Sequence, residues 1–554
     1  MIMKRVLSLL LVLSLWLTSF TVLAETACPI LENGDYFPLE EPVTLTALAL
    51  NTVGQFSVKD SYVLDWIKEK TNITLEITHE LYGDEGKMQL NIMMASGQRL
   101  PDIFLNTRWS KAECVLYGAQ GLVIPLDEYL EDCVNWNRLN EICGDQHRAD
   151  LTMADGHIYS FGSVNECFHL THQARMWVYQ PWIDLLCDGE LPRTTEEFYE
   201  YLHKVATMDP NGNGIQDEIP LTGQVDEGWA TDPFTFLSNA FVHNNRILGS
   251  SNQTVAPGCY IAEENQVRCN WVEDGYRDAL RYMHRLFQEG LLDGRTYTQN
   301  SRQMESRILA EPHLVGAVAS GQMPERYLTG GYLSNNDEWV HWTCLPPLQG
   351  PDGLQLSYQS NYDYFYNCNG LVTKDCQYPE IAVQLFDLLC STEGTLVQGH
   401  GAEGTSWAYC EEGEGLGLDG SPALYQVQES AARGNAWPPD VHVGSSFLAF
   451  RNALMVEDEN NGEKLLLSWA EAYDPYSPGE HTVFPNIAYT YEQSMAISTY
   501  ASTIDAYVEQ ATVQFIIGAL DVERDWEAYL SILKSMGQEE YHEILQQAYD
   551  AAMK

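Results

Sequence analysis

The sequence predicts an α/β protein built from at least two lobes. The chain has 554 residues, beyond the roughly 250–300 residues at which a single hydrophobic core stops growing. Strand-like and helix-like patterns alternate between about residues 42 and 105, which is typical of a sheet covered by helices. Hydrophobic residues make up 45% of the chain and aromatic residues 11%, enough to fill two large cores.

The first elements follow from hydrophobic spacing. Apolar, extended runs predict strands, and apolar residues three and four apart predict helices. In chain order these patterns predict a strand at Thr44 to Leu50, a helix at Ser61 to Lys70, a strand at Ile73 to Ile77, a helix at Met88 to Ala95 and a short buried strand at Asp102 to Leu105.

Later helices carry start and stop signals. Thr194 and Glu197 form a capping box, in which each side chain satisfies a backbone amide at the helix start. Proline at the first turn and glycine after the last turn mark other helix ends. These signals predict helices at Tyr276 to Leu291, at Pro379 to Cys390, from about Trp526 to Gly537, and at Tyr541 to Ala552.

The N-terminus has the pattern of a secretory signal peptide. Lys4 and Arg5 precede an apolar run, and small residues flank a cleavage position after Ala24. Residues 1–24 are therefore predicted to be removed, leaving a soluble protein that is secreted or in the cell envelope, outside the cytoplasm. A lipid anchor on Cys28 is an alternative, but Glu25 stands where a lipoprotein signal usually has leucine, which makes the anchor doubtful.

The charge excludes some partners. The formal net charge is −48, and such a field repels phosphate backbones, so nucleic acid is excluded as a partner. Anionic membranes and polyanionic ligands are disfavoured for the same reason, although a local basic patch could override the average. Strong acidity also keeps an exported protein in solution.

Thirteen cysteines in an exported chain predict disulfides. Their odd number leaves at least one thiol unpaired or intermolecular. The close-spaced pairs Cys259/Cys269 and Cys368/Cys376 are candidates, and spacing leaves the connectivity open.

Catalytic motifs are not evident in the sequence. P-loop, G-x-S-x-G and H-E-x-x-H patterns do not occur, and the glycine-rich string from Gly415 to Gly420 has acidic flanks and no preceding strand. The pair His169/His172 favours a core or surface role over a metal site. Because the chain has 78 acidic residues, a pair of carboxylates in the sequence does not indicate the acid and base of a glycosidase. Hydrolysis of a ligand therefore remains an open alternative.

One loop has the composition of a calcium site. A calcium ion takes about 6–8 oxygen ligands, and the segment from Asp209 to Glu218 alternates oxygen-bearing side chains with glycines that allow the backbone to wrap an ion. An EF-hand loop would carry glutamate at position twelve, where this chain has Pro220; Glu218 is the substitute. A metal-free turn is the alternative. The predicted ligands of a structural Ca²⁺ are Asp209, Asn211, Asn213, the carbonyl of Ile215, Asp217 and Glu218.

Aromatic residues suggest a carbohydrate cleft. Flat rings cover the apolar faces of sugars, while acids and amides bind the hydroxyl groups. The alternative for each ring is core packing. Six candidates lie beside turn residues or strand ends: Trp109, Trp177, Trp229, Tyr362, Trp407 and the neighbouring Glu403.

Short motifs in a fixed order resemble a known family, the exported solute-binding proteins of bacterial ABC sugar importers (family 1), in the subgroup of lipoprotein-like and alginate-oligosaccharide receptors. The motifs are Ala95 to Gly97, Leu100 to Phe104, Ile124 to Leu130, Asp155 to Tyr159, Pro192 to Phe198, the calcium loop, Leu286 to Leu291, Leu345 to Gly353, Gly401 to Trp407, Phe515 to Gly518, Asp525 to Tyr529 and Ala548 to Tyr549. They extend across nearly the whole mature chain.

The resemblance implies a two-lobed, type II periplasmic-binding-protein-like fold with a ligand cleft between the lobes. Lobe one would hold residues 43–168 and 342–400, and lobe two residues 169–341 and 401–554. In alginate-binding relatives a similar loop holds calcium, and the turn ending in Trp407 is expected to face the cleft. A net charge of −48 argues against alginate itself, an acidic polymer.

The resemblance also implies a function. The protein would act as a monomer that is not an enzyme, bind an oligosaccharide or another small polar solute, and dock on ABC permease membrane subunits. A secreted carbohydrate-active enzyme and a ligand-sensing subunit of a signalling receptor are the alternatives.

Overall fold

The computed structural model describes residues 28–51, 57–153, 155–225, 229–249, 256–322, 341–360, 365–427, 436–438, 441–456, 461–479, 482–485, 487 and 489–553. The predicted signal peptide and Tyr362 therefore lie outside the described residues. Among those residues, no helix combines the length and the apolar character that a membrane span requires.

The strands, in chain order, are β1 (Val43–Asn51), β2 (Ile73–Tyr82), β3 (Ile103–Leu105), β4 (Ser160–Asn165), β5 (Met176–Tyr179), β6 (Ile219–Thr222), β7 (Cys259–Ile261), β8 (Val267–Cys269), β9 (Val315–Ala319), β10 (Trp342–Leu345), β11 (Phe365–Val372), β12 (Trp407–Tyr409), β13 (Tyr425–Val427) and β14 (Ser445–Ser446).

The α-helices are α1 (Tyr62–Thr71), α2 (Gly83–Ala95), α3 (Lys111–Ala119), α4 (Asp127–Leu130), α5 (Val134–Cys143), α6 (Asp145–Leu151), α7 (Phe168–Thr171), α8 (Gln180–Leu186), α9 (Thr195–Thr207), α10 (Pro233–Ser238), α11 (Asp274–Gln288), α12 (Ser301–Ile308), α13 (Pro379–Leu389), α14 (Thr392–His400), α15 (Leu448–Asn452), α16 (Gly462–Tyr473), α17 (Tyr491–Ile516), α18 (Trp526–Ser535) and α19 (Gln538–Ala552).

A six-stranded sheet has the order β14-β4-β11-β3-β1-β2. β1 pairs in parallel with β2 and β3, and β11 is antiparallel to both β3 and β4. Successive side chains of a strand point to opposite faces. In β3, Ile103 and Leu105 accordingly enter one hydrophobic cluster and Phe104 another, so this sheet is covered on both sides.

A four-stranded sheet has the order β10-β5-β9-β6. Its β5 shows the same alternation, because Met176 and Val178 enter a large cluster and Trp177 packs on the other face. Side chains of α9, α11, α17, α18 and α19 fill the large cluster. The two sheets therefore have separate cores, which is the layered α/β arrangement that the sequence predicts.

Among the strands and helices that the structure describes, the chain passes between the two sheets at three places. Residues 166–175 join β4 to β5, residues 346–364 join β10 to β11, and residues 447–461 join β14 to α16. The last connection reaches the four-stranded sheet because the Trp469 ring of α16 packs edge-on against Trp177, with ring centroids 4.6 Å apart.

The packing differs from the predicted lobe division at two places. Residues 342–345 form β10 of the four-stranded sheet, whereas the sequence predicts them in lobe one. Residues between 401 and 454 carry Trp407, Tyr425 and Phe450 in the core of the six-stranded sheet, whereas the sequence predicts them in lobe two. These contacts favour lobe boundaries near residues 361 and 455, and the division itself stays a prediction.

Candidate functional site

The first and third connections meet in a buried polar cluster. His169 is 5% exposed, and its ring lies 3.3 Å from the Cys167 sulfur and 3.7 Å from the Glu463 carboxylate. Arg451 donates to that carboxylate at 3.1 Å and to Asn165 Oδ1 at 2.9 Å. Burial lowers the pKa of His169 to about 3, since the nearby Glu463 offsets only part of the desolvation. His169 is therefore neutral at pH 7, and the ion pair in this cluster is Arg451–Glu463.

The carboxyl end of β9 is built around a buried arginine. Arg175 is fully buried, and its guanidinium donates to the carbonyls of Gly321 and, at 2.8 Å, of His169. Desolvation lowers the pKa of Arg175 from its ordinary value. Because one carbonyl lies two residues after β9 and the other belongs to the first connection, Arg175 fixes the strand end against that connection.

Trp229 lies directly over this strand end. A Cβ atom at Gly321 would lie 2.8 Å from the Trp229 ring, so glycine lets the ring approach the backbone. Trp229 Nε1 donates to Gln173 Oε1 at 2.6 Å, and Gln173 in turn donates to the Tyr358 hydroxyl at 3.3 Å. The Trp229 side chain is half-buried. It therefore combines a fixed orientation with ring surface that a ligand could cover.

Amide side chains surround the same edge of the sheet. Gln322 follows β9, while Gln224 follows β6 and Gln299 donates to Gly223 O at 2.5 Å. All three are buried. Gln322 Nε2, Gln224 Oε1 and Gln299 Oε1 have no hydrogen-bond partner in the described part of the chain. Buried amide atoms without partners are costly, and donors and acceptors of this kind bind hydroxyl groups of ligands.

The six-stranded sheet presents a polar turn at the carboxyl end of β3. Asn106 and Arg108 both adopt positive φ values, 53° and 52°. Asn106 Nδ2 donates to Leu50 O at 2.9 Å, and the Arg108 amide donates to Asn106 Oδ1 at 3.1 Å. In open α/β sheets ligands bind outside the carboxyl ends of strands, so this turn is the candidate surface on that side.

Two predicted ligand-binding aromatics are core residues instead. Trp407 is fully buried, and its Nε1 donates to Gly401 O at 2.9 Å. The glycine-containing turn folds back over the ring, so Trp407 packs in a core in this structure, and its contact with a ligand stays a prediction. Trp177 is also fully buried and donates to Ser320 O at 2.9 Å. Both indoles are surrounded by protein and cannot stack on a ligand in this structure.

The other predicted ligand residues have mixed positions. Trp109 is 5% exposed and packs against Tyr117, with ring centroids 4.5 Å apart. Glu403 is exposed in the turn before Trp407. Tyr362 lies outside the described residues. Trp229 is thus the one described ring of the predicted set that is both well positioned and partly accessible.

The predicted calcium loop folds around its own oxygen atoms. Asp209 accepts from the backbone amides of Asn213 at 3.2 Å and Gly214 at 2.9 Å. The side-chain amides of Asn211 and Asn213 both donate to Asp217, at 3.2 and 3.0 Å. Gly214, at φ 79°, provides the left-handed turn that this curvature requires.

Glu218 completes the loop. One of its carboxylate oxygens accepts from the Asn211 amide at 3.5 Å, and the other is buried without a hydrogen-bond partner in the described residues. A buried carboxylate oxygen without a partner is the kind of group that a cation satisfies. The Ile215 side chain is 61% exposed, which agrees with a role through its carbonyl only.

The donor set of the loop is made of oxygen atoms only. No group of three or more His, Cys, Asp or Glu side chains in the described ranges is arranged to hold a metal ion, and this includes the three carboxylates of the loop. The loop instead combines three carboxylates with two amides and a carbonyl, and an all-oxygen set of this kind is what calcium takes.

Comparison with known proteins shows which proteins the chain resembles. No protein-family model matches the chain. Solved structures of ABC-transporter substrate-binding proteins nevertheless have the same fold over nearly the whole chain, so the predicted solute-binding-protein fold is confirmed.

Individual relatives make the likeness specific. The chain is 22% identical over 535 residues to the fructooligosaccharide ABC transporter substrate-binding protein FusA of Streptococcus pneumoniae. The alignment covers 94% of this chain and 92% of that protein. It is 20% identical over 477 residues to lipoprotein LipO of Bacillus subtilis, with 84% of each chain covered. The predicted resemblance to sugar-binding proteins of ABC importers is thereby confirmed.

Three solved structures illustrate the fold. FusA in complex with kestose matches with a TM-score of 0.76 and 19% identity, covering 92% of this chain and 99% of that chain. An extracellular solute-binding protein from Bifidobacterium longum subsp. infantis matches with a TM-score of 0.73 and 18% identity, covering 93% and 99%. Alginate-binding protein AlgQ2, solved without calcium ion, matches with a TM-score of 0.69 and 17% identity over 92% and 99%.

Proposed function

We propose that the protein is an extracytoplasmic substrate-binding protein that captures an oligosaccharide and delivers it to the membrane permease of an ABC transporter. The observation that carries this proposal is the match to FusA along 94% of the chain. FusA is a fructooligosaccharide-binding protein, and other structural neighbours bind human milk oligosaccharides and N-glycans. With a net charge of −48, a neutral oligosaccharide is the favoured ligand.

The ligand would bind between the carboxyl ends of the two sheets. On the side of the four-stranded sheet, the Trp229 ring would cover a sugar face, and the unpartnered amide atoms of Gln322, Gln224 and Gln299 would bind hydroxyl groups. On the other side, the turn at Asn106 and Arg108 would close over the ligand. Such contacts, formed fully only in the closed arrangement, are what allows a ligand to shift an open–closed equilibrium.

The proposed role does not include chemistry on the ligand. Receptors of this kind release the bound sugar unaltered to permease subunits, and a separate ATPase drives uptake. The relatives are substrate-binding proteins, which supports this reading over a secreted carbohydrate-active enzyme. A sensor that binds the same ligand for a signalling receptor would have the same site, and neighbouring permease genes distinguish the two.

We also propose that the loop from Asp209 to Glu218 holds a structural calcium ion. One solved structure with the same fold is that of a FusA EF-hand mutant. This supports a calcium loop in this group of substrate-binding proteins. The ion would be held by Asp209, Asn211, Asn213, Asp217, Glu218 and the Ile215 carbonyl. Its charge would balance three carboxylates. Its bonds to the loop would hold the end of α9 close to the start of β6.

A ligand screen tests the proposed function. The purified protein is heated with neutral oligosaccharides of several linkage types, including fructooligosaccharides, and with monosaccharide controls. We expect at least one oligosaccharide to raise the melting temperature, because a ligand that binds only the folded state stabilises it. The same mixtures are then analysed for released reducing ends. A glycan that is cleaved would contradict the receptor role and favour the enzyme.

A further inference from the structure

Cys259 and Cys269 face one another across the β7–β8 hairpin. They are directly opposite in the antiparallel register, and their sulfur atoms are 2.8 Å apart. Both side chains are buried, at 0% and 3% exposure. The buried side chains of Cys114 and Cys368 also form a hydrogen bond with one another, whereas Cys344 contacts the Tyr473 hydroxyl and Cys390 donates to the Val443 carbonyl.

The hairpin geometry suits a covalent bond between these residues. Asn270 N donates to Gly258 O at 2.9 Å and Ala262 N donates to Gln266 O at 2.7 Å, whereas the Cys259 amide bonds to Ala256 O. Because hydrogen-bonded and non-hydrogen-bonded pairs alternate, Cys259 and Cys269 occupy a non-hydrogen-bonded pair. Such pairs have Cα atoms roughly 4.5 Å apart, inside the range of about 4.4–6.8 Å that disulfides span.

We propose that Cys259 and Cys269 form a disulfide in the exported protein. One cysteine thiolate attacks the disulfide of an extracytoplasmic thiol–disulfide oxidant and releases one oxidant thiol, leaving a mixed disulfide. The second thiolate attacks the protein sulfur of that mixed disulfide, forms the Cys259–Cys269 bond and releases the second oxidant thiol. Two electrons pass to the oxidant, and the two protons lost by the cysteines are recovered on its two thiols.

The bond forms before the hairpin is buried. In the folded protein, burial raises the pKa of Cys259 well above its usual range, so its reactive thiolate is scarce once the core has closed. Oxidation during folding then stabilises the hairpin, which supports the C-terminal helix: the Val267 amide donates to Gln546 Oε1 at 2.8 Å. A disulfide that closes a short loop stabilises the folded protein because it restricts the conformations of the unfolded chain.

Peptide mapping of the wild-type chain tests the proposal without a variant. The exported protein is alkylated while denatured and digested with trypsin without reduction. Cleavage after Arg268 separates the two cysteines, so a disulfide appears as peptide 247–268 linked to peptide 269–277, whereas Cys187 in peptide 176–193 is expected to be alkylated. Alkylation of both Cys259 and Cys269 would overturn the proposal.

Thermal melting tests the stabilising role of the bond. A reducing agent is expected to lower the melting temperature of the wild type by about 5 °C more than that of the double variant C259S/C269S. The variant C187S, which leaves the hairpin intact, is expected to behave as the wild type. An equal effect of reduction on the wild type and C259S/C269S would overturn the stabilising role. Neither measurement uses a ligand, so both are independent of the proposed transport function.

Discussion

At the scale of single residues, burial separates aromatic rings that are available to a ligand from those that fill cores. Trp229 is half-buried and held by Gln173, whereas Trp407 is fully buried in the core of the six-stranded sheet. Both follow glycine-rich or polar segments in the sequence, so local composition does not tell them apart. The difference lies in which distant elements pack on each ring.

Substitution of Trp229 is expected to weaken ligand binding. For W229A we expect the oligosaccharide Kd to rise about tenfold, equivalent to about 1.4 kcal/mol, because the variant loses an aromatic surface for sugar stacking. Isothermal titration calorimetry measures the change. As a control, W407F removes the hydrogen bond to Gly401 and should lower stability by about 1–3 kcal/mol while leaving Kd unchanged. An unchanged Kd in W229A would show that this ring does not contact the ligand.

His169 is expected to make the protein sensitive to acid. Its pKa of about 3 in the folded state lies below the unfolded value of about 6.5. The stability associated with neutral His169 is thus fully present above pH 6.5 and is lost as pH falls toward 3. Between pH 6.5 and 4.5 the loss amounts to about 2.5 kcal/mol.

The variant H169Q tests this contribution because glutamine does not titrate in this range. Melting temperatures are measured between pH 7.5 and 4.5, and the decline on acidification is expected to be smaller in H169Q than in the wild type. H203Q, at an exposed position of α9, should decline as the wild type does. A decline in H169Q as steep as that of the wild type would assign the acid sensitivity to other groups.

At the scale of elements, the predicted calcium loop shows that the residues of a short segment can determine most of its structure. The carboxylates, amides and glycines needed for its curvature all lie between Asp209 and Glu218. The preceding helix begins with the predicted capping box, in which Glu197 N donates to Thr194 Oγ1 at 3.1 Å. Both features were predictable because most of their interacting groups are close in sequence. The bond from Asn211 Nδ2 to the distant His313 O, at 3.2 Å, was not.

Removal of Asp209 is expected to abolish the response to calcium. In the wild type, chelation should lower the melting temperature, and added calcium should restore it, because an ion bound only by the folded loop stabilises it. D209A should melt at the same temperature with and without calcium. D521N is the matched control, since Asp521 also accepts from two backbone amides in an exposed turn. A wild type that is insensitive to chelation would contradict the calcium site.

The long helix α17 is an element that local sequence patterns did not reveal. It was not predicted, although Thr490 and Gln493 form a capping box at its start, and Ile497, Ile504, Val508 and Phe515 lie on its buried side. Their spacings of seven, four and seven residues fit one helical face. Serine, threonine and alanine between them dilute the pattern, which is why the signal was missed.

The candidate ligand site could be predicted only in part. The strands that position it, β6 and β9, lie almost a hundred residues apart in sequence, and their pairing brings Gln224 near Gln322. The buried Arg175 had no distinguishing local pattern. Its position depends on carbonyls of two separate segments. Contacts between segments that are far apart in the sequence produce no periodic pattern in it.

At the scale of the whole molecule, three connections join two separately packed cores. Across the third, Arg451 on the side of the six-stranded sheet bonds to Glu463 at the start of α16. Connections that are few and close together permit rotation of one core relative to the other. The arrangement therefore supports a molecule whose two lobes close over a ligand.

Small-angle X-ray scattering tests this closure directly. The radius of gyration of the wild type is expected to fall when a stabilising oligosaccharide is added at saturation, because the ligand binds the closed form more tightly and shifts the population toward it. At a fixed concentration near the wild-type Kd, W229A should show less compaction, since a weaker ligand shifts the equilibrium less. W407F should compact as the wild type does, and the sugar recovered afterwards should be intact. A molecule with the same radius at every ligand concentration that binds would contradict the two-lobed receptor, because capture between lobes requires that they move.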